Sequence, residues 1–184
     1  MKNDIIDFME YVIKLKKTKR TGWIDVGIKD CESVAEHSYA TAILAMMLAR
    51  RFKLDENRMI KMALIHDLAE SVIGDINFKD IHDGKISIKE KFEKEKKAMK
   101  DIISNLEDGE EIYNLWLEFE EQKTPEAKIL KQLDKIELLL QANEYEKEHG
   151  KEKIDVFWNY LPQYKIENEY LKSLIEELKK RRKK

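Results

Sequence analysis

Met62-Ala63-Leu64-Ile65-His66-Asp67-Leu68-Ala69-Glu70 is the stretch that decides how this chain is read. Four apolar residues in a row run into an adjacent imidazole and carboxylate, and a second carboxylate follows three positions later. On one continuous helix, residues 66 and 67 point about 100° apart, and residue 70 lies over them on the same face. Buried ionisable groups are costly unless something compensates them. An apolar helix that ends in His-Asp therefore asks what those side chains are for. Further along, Gly74 closes the region and Asp75 follows it.

Two other segments repeat the pattern of an ionisable group on an apolar helix. Ser33-Val34-Ala35-Glu36 has the form of a capping box. It starts a helix with His37 in its first turn, and the apolar residues that run on to Ala49 predict a buried element. Thr124-Pro125-Glu126 combines an N-cap with proline at the first helical position. The helix it opens is predicted to reach about residue 148, stopping near Gly150, with Asp134 set among Leu130, Leu133, Ile136 and Leu138. Taken singly, each residue has an ordinary explanation: His37 as a capping or surface group, His66-Asp67 as a chance dipeptide, Asp134 as the partner of a Lys or Arg. Together they interrupt the three most apolar helices of the chain. Two imidazoles and two carboxylates make a mixed N/O ligand set suited to Mn, Fe, Co, Zn or Mg.

Outward from these helices, the chain is expected to be all-α. Apolar residues recur at helical spacing over roughly 4–17, a helix capped by Asp55 carries Met59, Ile60, Ala63, Leu64 and Leu68, and charged helices are expected over 88–106 and 110–121. Residues around Gly22 and Gly27 read as loop, as does 77–87. A short segment at 156–160 and a last helix from about 163 complete the chain. No strand is predicted. With 184 residues, 42% hydrophobic and 39% charged, the chain suits one helical domain, 1–184.

Charge and cysteine content narrow the function classes. The net charge is −2, but residues 179–184 are all basic; 29 basic residues remain elsewhere against 37 acidic ones. A body of that sign argues against a broad nucleic-acid surface, and the basic tail reads as the solvated end of the 163–184 helix. One cysteine, Cys31, permits no internal disulfide, and the longest apolar run, 42–49, is too short for a membrane span. The expected compartment is the cytoplasm, with no membrane partner.

The motif text resembles a known family. Glu32-Ser33-Val34-Ala35-Glu36-His37-Ser38, Ala63 to Glu70, Gly74-Asp75-Ile76 and Leu133-Asp134-Lys135-Ile136-Glu137 are similar to the 5′-deoxynucleotidase subfamily of HD-domain phosphohydrolases. Tyr145-Glu146 and the 116–120 segment add to the likeness, which covers roughly residues 8–148. The resemblance implies an HD-type helical bundle with His37, His66, Asp67 and Asp134 holding one divalent metal ion. It implies Glu70 and Asp75 as the acids that position water and assist the leaving group, and Arg20 and Trp23 as nucleotide contacts. The implied reaction is hydrolysis of deoxynucleoside 5′-monophosphates by a homodimer. Between Arg20 and Trp23 this chain inserts Thr21-Gly22, where some members have the two adjacent.

Three alternatives stay open at this point. One is an HD-type hydrolase of a triphosphate or signalling nucleotide, which would call for basic residues beyond Arg20 around the pocket. Another is a non-catalytic nucleotide-binding module. The last is a helical interaction protein whose apolar helices close without a cavity.

Overall fold

A computed structural model describes residues 4–182, and every element in it is helical. In chain order they are α1 (Asp4–Leu15), α2 (Thr21–Asp25), α3 (Val34–Phe52), α4 (Glu56–Ile65), α5 (Glu70–Ile73) and α6 (Phe78–His82). Then come α7 (Ile88–Ile103), α8 (Gly109–Glu121), α9 (Pro125–His149), α10 (Lys151–Asn159), a 3-10 turn (Leu161–Tyr164) and α11 (Glu169–Arg182). Among the described residues there is no strand. The only sheet-like pairing among the described residues is one bridge between Lys19 and Ser33, where Val34 N–H donates to the Thr18 carbonyl at 2.8 Å.

The helix starts follow local chemistry. Ser33 Oγ accepts from Glu36 N–H at 3.3 Å while Glu36 Oε2 accepts from Ser33 N–H at 2.6 Å, closing the capping box of α3. Asp55 caps α4 through Arg58 N–H at 3.0 Å, and Thr124 caps α9 through Ala127 N–H at 3.2 Å. These satisfy amides that would otherwise be orphaned at a helix N-terminus.

α3, α4 and α9 form the centre, with α8, α10 and α11 against them. Met59, Met62, Leu130, Leu133, Ile136 and Leu139 are buried in this larger apolar cluster. Burying each such side chain contributes about 1.5–3 kcal/mol. A smaller cluster joins Leu15, Val34, Leu68, Met99, Ile102 and Trp116. Val34 and Leu68 belong to the smaller cluster, Ala42 and Ala63 to the larger one. His37 lies between Val34 and Ala42 in sequence, and His66 between Ala63 and Leu68, at the seam of the two clusters.

Five local expectations need correction. The helix predicted through Leu68 stops at Ile65. His66 Nδ1 hydrogen-bonds the Ala63 carbonyl, and three-residue turns replace the α pattern: Leu68 N–H to Ile65 O, Glu70 N–H to Asp67 O, Ser71 N–H to Leu68 O. α3 is not wholly buried, since Tyr39, Met46 and Met47 are exposed. The stretches read as loops contain α2 and α6, the latter capped by Asn77 through Asp80 N–H at 3.1 Å. α10 begins directly after Gly150. α11 begins at Glu169 rather than 163, because Asn168 Oδ1 accepts from the N–H groups of Tyr170 and Leu171.

Candidate metal centre

His37 enters from the first turn of α3, His66 and Asp67 from the turns after α4, and Asp134 from the middle of α9. His37 Nε2 lies 3.1 Å from Asp134 Oδ1 and 3.8 Å from Asp67 Oδ2, and His66 Nε2 lies 3.1 Å from Asp67 Oδ2. Ligand atoms of His37, His66 and Asp134 all fall within 4.8 Å of one another, and both histidines are buried.

The donor chemistry fits a cation. Each Nδ1 is engaged on the far side of its ring: His37 with Glu137 Oε2, His66 with the Ala63 carbonyl at 2.7 Å. Both partners are acceptors, so each Nδ1 carries the proton and each Nε2 presents a lone pair. Neither buried Nε2 makes a hydrogen bond of acceptable geometry. Two lone pairs thus face two carboxylates across a space that a positive charge would fill. Without an ion, the site answers with a proton: burial and Arg20 press the His37 imidazolium down, the carboxylates of Asp134 and Glu137 push it up, and the balance is about 9. Asp67 and Asp134 are held well below the usual carboxylate range. Burial works the other way in both, but His66, Arg20 and His37 outweigh it at Asp67, as Lys135 and His37 do at Asp134.

Arg20 and the two further acids flank this centre. Arg20 Nη1 is 3.4 Å from Asp67 and 3.6 Å from Asp75. Gly74, at φ +79°, turns the chain so that Asp75 meets α2. There Asp75 Oδ2 accepts from Thr21 N–H at 2.5 Å and from Thr21 Oγ1 at 2.8 Å. The inserted Thr21 is therefore a tether between α2 and the Asp75 loop. Glu70 is buried with Oε2 unpartnered. Burial first, then the charges of Asp67 and Asp75, raise its carboxyl well above the ordinary value, and Lys91 and Arg20 offset only part of this.

Arg20, Asp67, Glu70, Asp75 and Asp134 line a cavity of about 1090 Å³. Val26, Ile76, Ile81, Leu138, Phe157 and Tyr160 supply apolar lining. A drug-sized ligand needs roughly 300–1,000 Å³, so a nucleotide has room. Trp23 contributes to the wall but is 1% exposed, with Nε1–H donated to Glu32 at 2.8 Å and its ring packed on Phe157 and Tyr145.

Three groups went unread in the sequence. Lys91, Lys131 and Lys135 line the same cavity, so Arg20 is not its lone cation; Lys131 and Lys135 stand at i and i+4 with Asp134 between, a spacing that places all three on one face. Each lysine has an acidic neighbour: Lys91 with Glu95 at 3.2 Å, Lys131 with Glu120 at 3.5 Å, Lys135 with Asp134 at 3.1 Å. Glu137, three residues beyond Asp134, carried the same facing signal. Phe157 and Tyr160 come from α10, where only the fold brings them to the cavity.

An all-helical molecule with two buried imidazoles gathered against two carboxylates that line a nucleotide-sized cavity is built as a helical metal-site protein. Among known proteins, the HD domain family profile matches residues 12–179. This chain belongs to the HD domain family. It is 43% identical over 151 residues to a protein of Danio rerio named 5′-deoxynucleotidase HDDC2, covering 81% of this chain and 73% of the relative. A conserved hypothetical protein of Pyrococcus furiosus shares its fold at TM-score 0.80 and 34% identity, over 95% of this chain and 99% of that one. A structure described as a predicted metal-dependent phosphohydrolase, from Magnetospirillum magnetotacticum, superposes at TM-score 0.66 with 29% identity, over 96% of each chain.

Proposed function

We propose that this chain hydrolyses deoxyribonucleoside 5′-monophosphates to the deoxynucleoside and phosphate, with one divalent ion held by His37, His66, Asp67 and Asp134. The observation that carries this reading is the pair of unpartnered imidazole nitrogens facing Asp67 and Asp134, two carboxylates that line the cavity. The relatives named 5′-deoxynucleotidase support the substrate class. When bound, the ion supplies positive charge for a phosphate dianion and acidifies water toward neutral pH.

The chain's own residues divide the remaining work. Arg20, in contact range of Asp67 and Asp75, presents its guanidinium to the phosphate oxygens and neutralises charge as the bond breaks. Glu70 is a buried carboxyl three residues beyond Asp67 whose hold on a proton is raised by burial and by the charges of Asp67 and Asp75; it orients the attacking water. Asp75 faces the leaving 5′-oxygen and, through Thr21, keeps Arg20 and α2 in register with the acids. Trp23 shapes the wall against which the sugar and base lie.

The same reading includes a homodimer in the cytoplasm. The exposed Tyr39, Met46 and Met47 on α3 support self-association, and the free buried Cys31 supports a reducing compartment. No helix among the described residues is long and apolar enough to cross a membrane. A phosphate-release screen over deoxy- and ribonucleoside mono- and triphosphates tests the substrate class. Deoxynucleoside monophosphates should lead it. Faster release from triphosphates would instead favour the reading in which pocket lysines such as Lys91, Lys131 and Lys135 serve extra phosphates.

A further inference from the structure

Behind the metal centre lies a second buried group of potential ligands. Glu32, His37 and Glu137 bring one side-chain atom each to within 4.8 Å of one another, and all three are buried. By residue type alone, this is a second candidate metal site. The hydrogen bonding around it argues for a different role.

His37 cannot serve two ions in the arrangement seen. Its Nε2 faces Asp134 and Asp67, while its Nδ1 is bonded to Glu137 Oε2. Glu32 Oε1 is already the acceptor of the Trp23 indole N–H at 2.8 Å, and Glu32 N–H donates to the Tyr145 hydroxyl at 2.7 Å. Each residue of the group thus has an assigned partner. The contrast with His66 is informative, because that ring is oriented by a backbone carbonyl, Ala63 O. A backbone carbonyl follows from the turn itself and no side-chain substitution removes it. His37 sits in the first turn of a helix, and its ring depends on a side chain from another helix.

We infer that Glu137 is the positioning residue of the metal centre. Its carboxylate accepts the Nδ1 proton of His37, fixes the ring so that the Nε2 lone pair points at the ion, and makes that nitrogen a better donor. The inference rests on the metal-centre reading given above. A carboxylate behind a ligating imidazole typically changes metal affinity by about 10–100-fold when removed. Glu32 plays a separate part: it anchors Trp23 in the cavity wall and makes no hydrogen bond to His37.

Metal-free protein titrated with Mn²⁺ or Zn²⁺ against a chelating indicator tests this without reference to turnover. The unmodified chain should bind one equivalent. Glu137→Gln keeps the shape but loses the charge, and its Kd should rise by about 10-fold or more; Glu137→Leu, which also loses the acceptor, should reach the upper end of the 10–100-fold range. Glu32→Gln should leave the Kd near the unmodified value. Thermal melting of the metal-free variants separates positioning from folding, since both Glu137 variants should melt close to the unmodified chain. In the Zn²⁺-loaded protein, ¹⁵N shifts of His37 should report Nδ1 protonated and Nε2 ligated. Unchanged Kd in folded Glu137→Gln and Glu137→Leu would overturn the inference. So would a His37 ligated through Nδ1, or a second bound equivalent that Glu32→Gln abolishes. Failure of the unmodified chain to bind any ion would remove the metal-centre reading itself, which is a distinguishable result.

Discussion

Glu70 shows how a single position acquires a chemical role from its neighbours. It is a short step in sequence from Asp67, is buried, and shares its surroundings with the charges of Asp67 and Asp75. Each of these disfavours the ionised carboxylate. Replacing it by glutamine should lower turnover by roughly 10²–10⁴-fold, the range for losing a positioned acid or base, while bound metal stays at one equivalent. The same variant carries a pH signature. Because the folded carboxyl titrates above its unfolded value, its contribution to stability is complete below the ordinary carboxyl range and is lost as pH rises through the folded value. Metal-free unmodified protein should therefore lose melting temperature as pH rises above the ordinary carboxyl range, and Glu70→Gln should lose less. Equal slopes would show that Glu70 is ionised throughout, and near-normal turnover of the variant would remove its assigned role. His37, His66, Asp67, Asp134, Glu70 and Asp75 were all legible as candidates, because ionisable residues are conspicuous on apolar helices. Glu137 was passed over, although it stands between Ile136 and Leu138 and three residues beyond Asp134, a spacing that places it on the same helix face.

At the level of elements, the signals that worked were those written into adjacent residues. The capping box at Ser33–Glu36 and the Thr124-Pro125 start both appear where the sequence puts them. Ser33→Ala should cost about 1 kcal/mol, within a usual range of roughly 0.5–2 for a lost N-cap. The check is the urea midpoint of the metal-free protein, which should fall; an unchanged midpoint would mean that the box adds nothing to α3. Where signals were tertiary, the reading slipped. The break after Ile65 comes from His66 turning back on Ala63, and it places His66 and Asp67 on tight turns instead of a regular helix. α11 starts late because Asn168 caps it and because the 167–168 backbone is pinned by Gln132 Oε1, at 2.8 and 2.9 Å, from a helix about 35 residues away. No local pattern carries that information. α2 and α6 are five residues each, too short for periodicity to register.

The whole molecule puts these pieces in one place. All-α architecture was readable from few glycines and prolines and from persistent helical spacing; the division of the core into two clusters, with the histidines at their seam, was not. The cavity depends most on what the sequence could not announce. Its apolar lining is completed by Phe157 and Tyr160 at the far end of the chain from Arg20. The metal centre beside it needs α3, α9 and the turns after α4 to converge. That convergence is the central claim, and phosphate release from a deoxynucleoside 5′-monophosphate, followed through metal removal and return, tests it most directly. The account predicts no turnover after chelation, recovery with one equivalent of divalent ion per chain, and neither metal nor turnover in Asp67→Ala at any ion concentration that saturates the unmodified protein. Full turnover by the metal-stripped chain, or by Asp67→Ala, would contradict it.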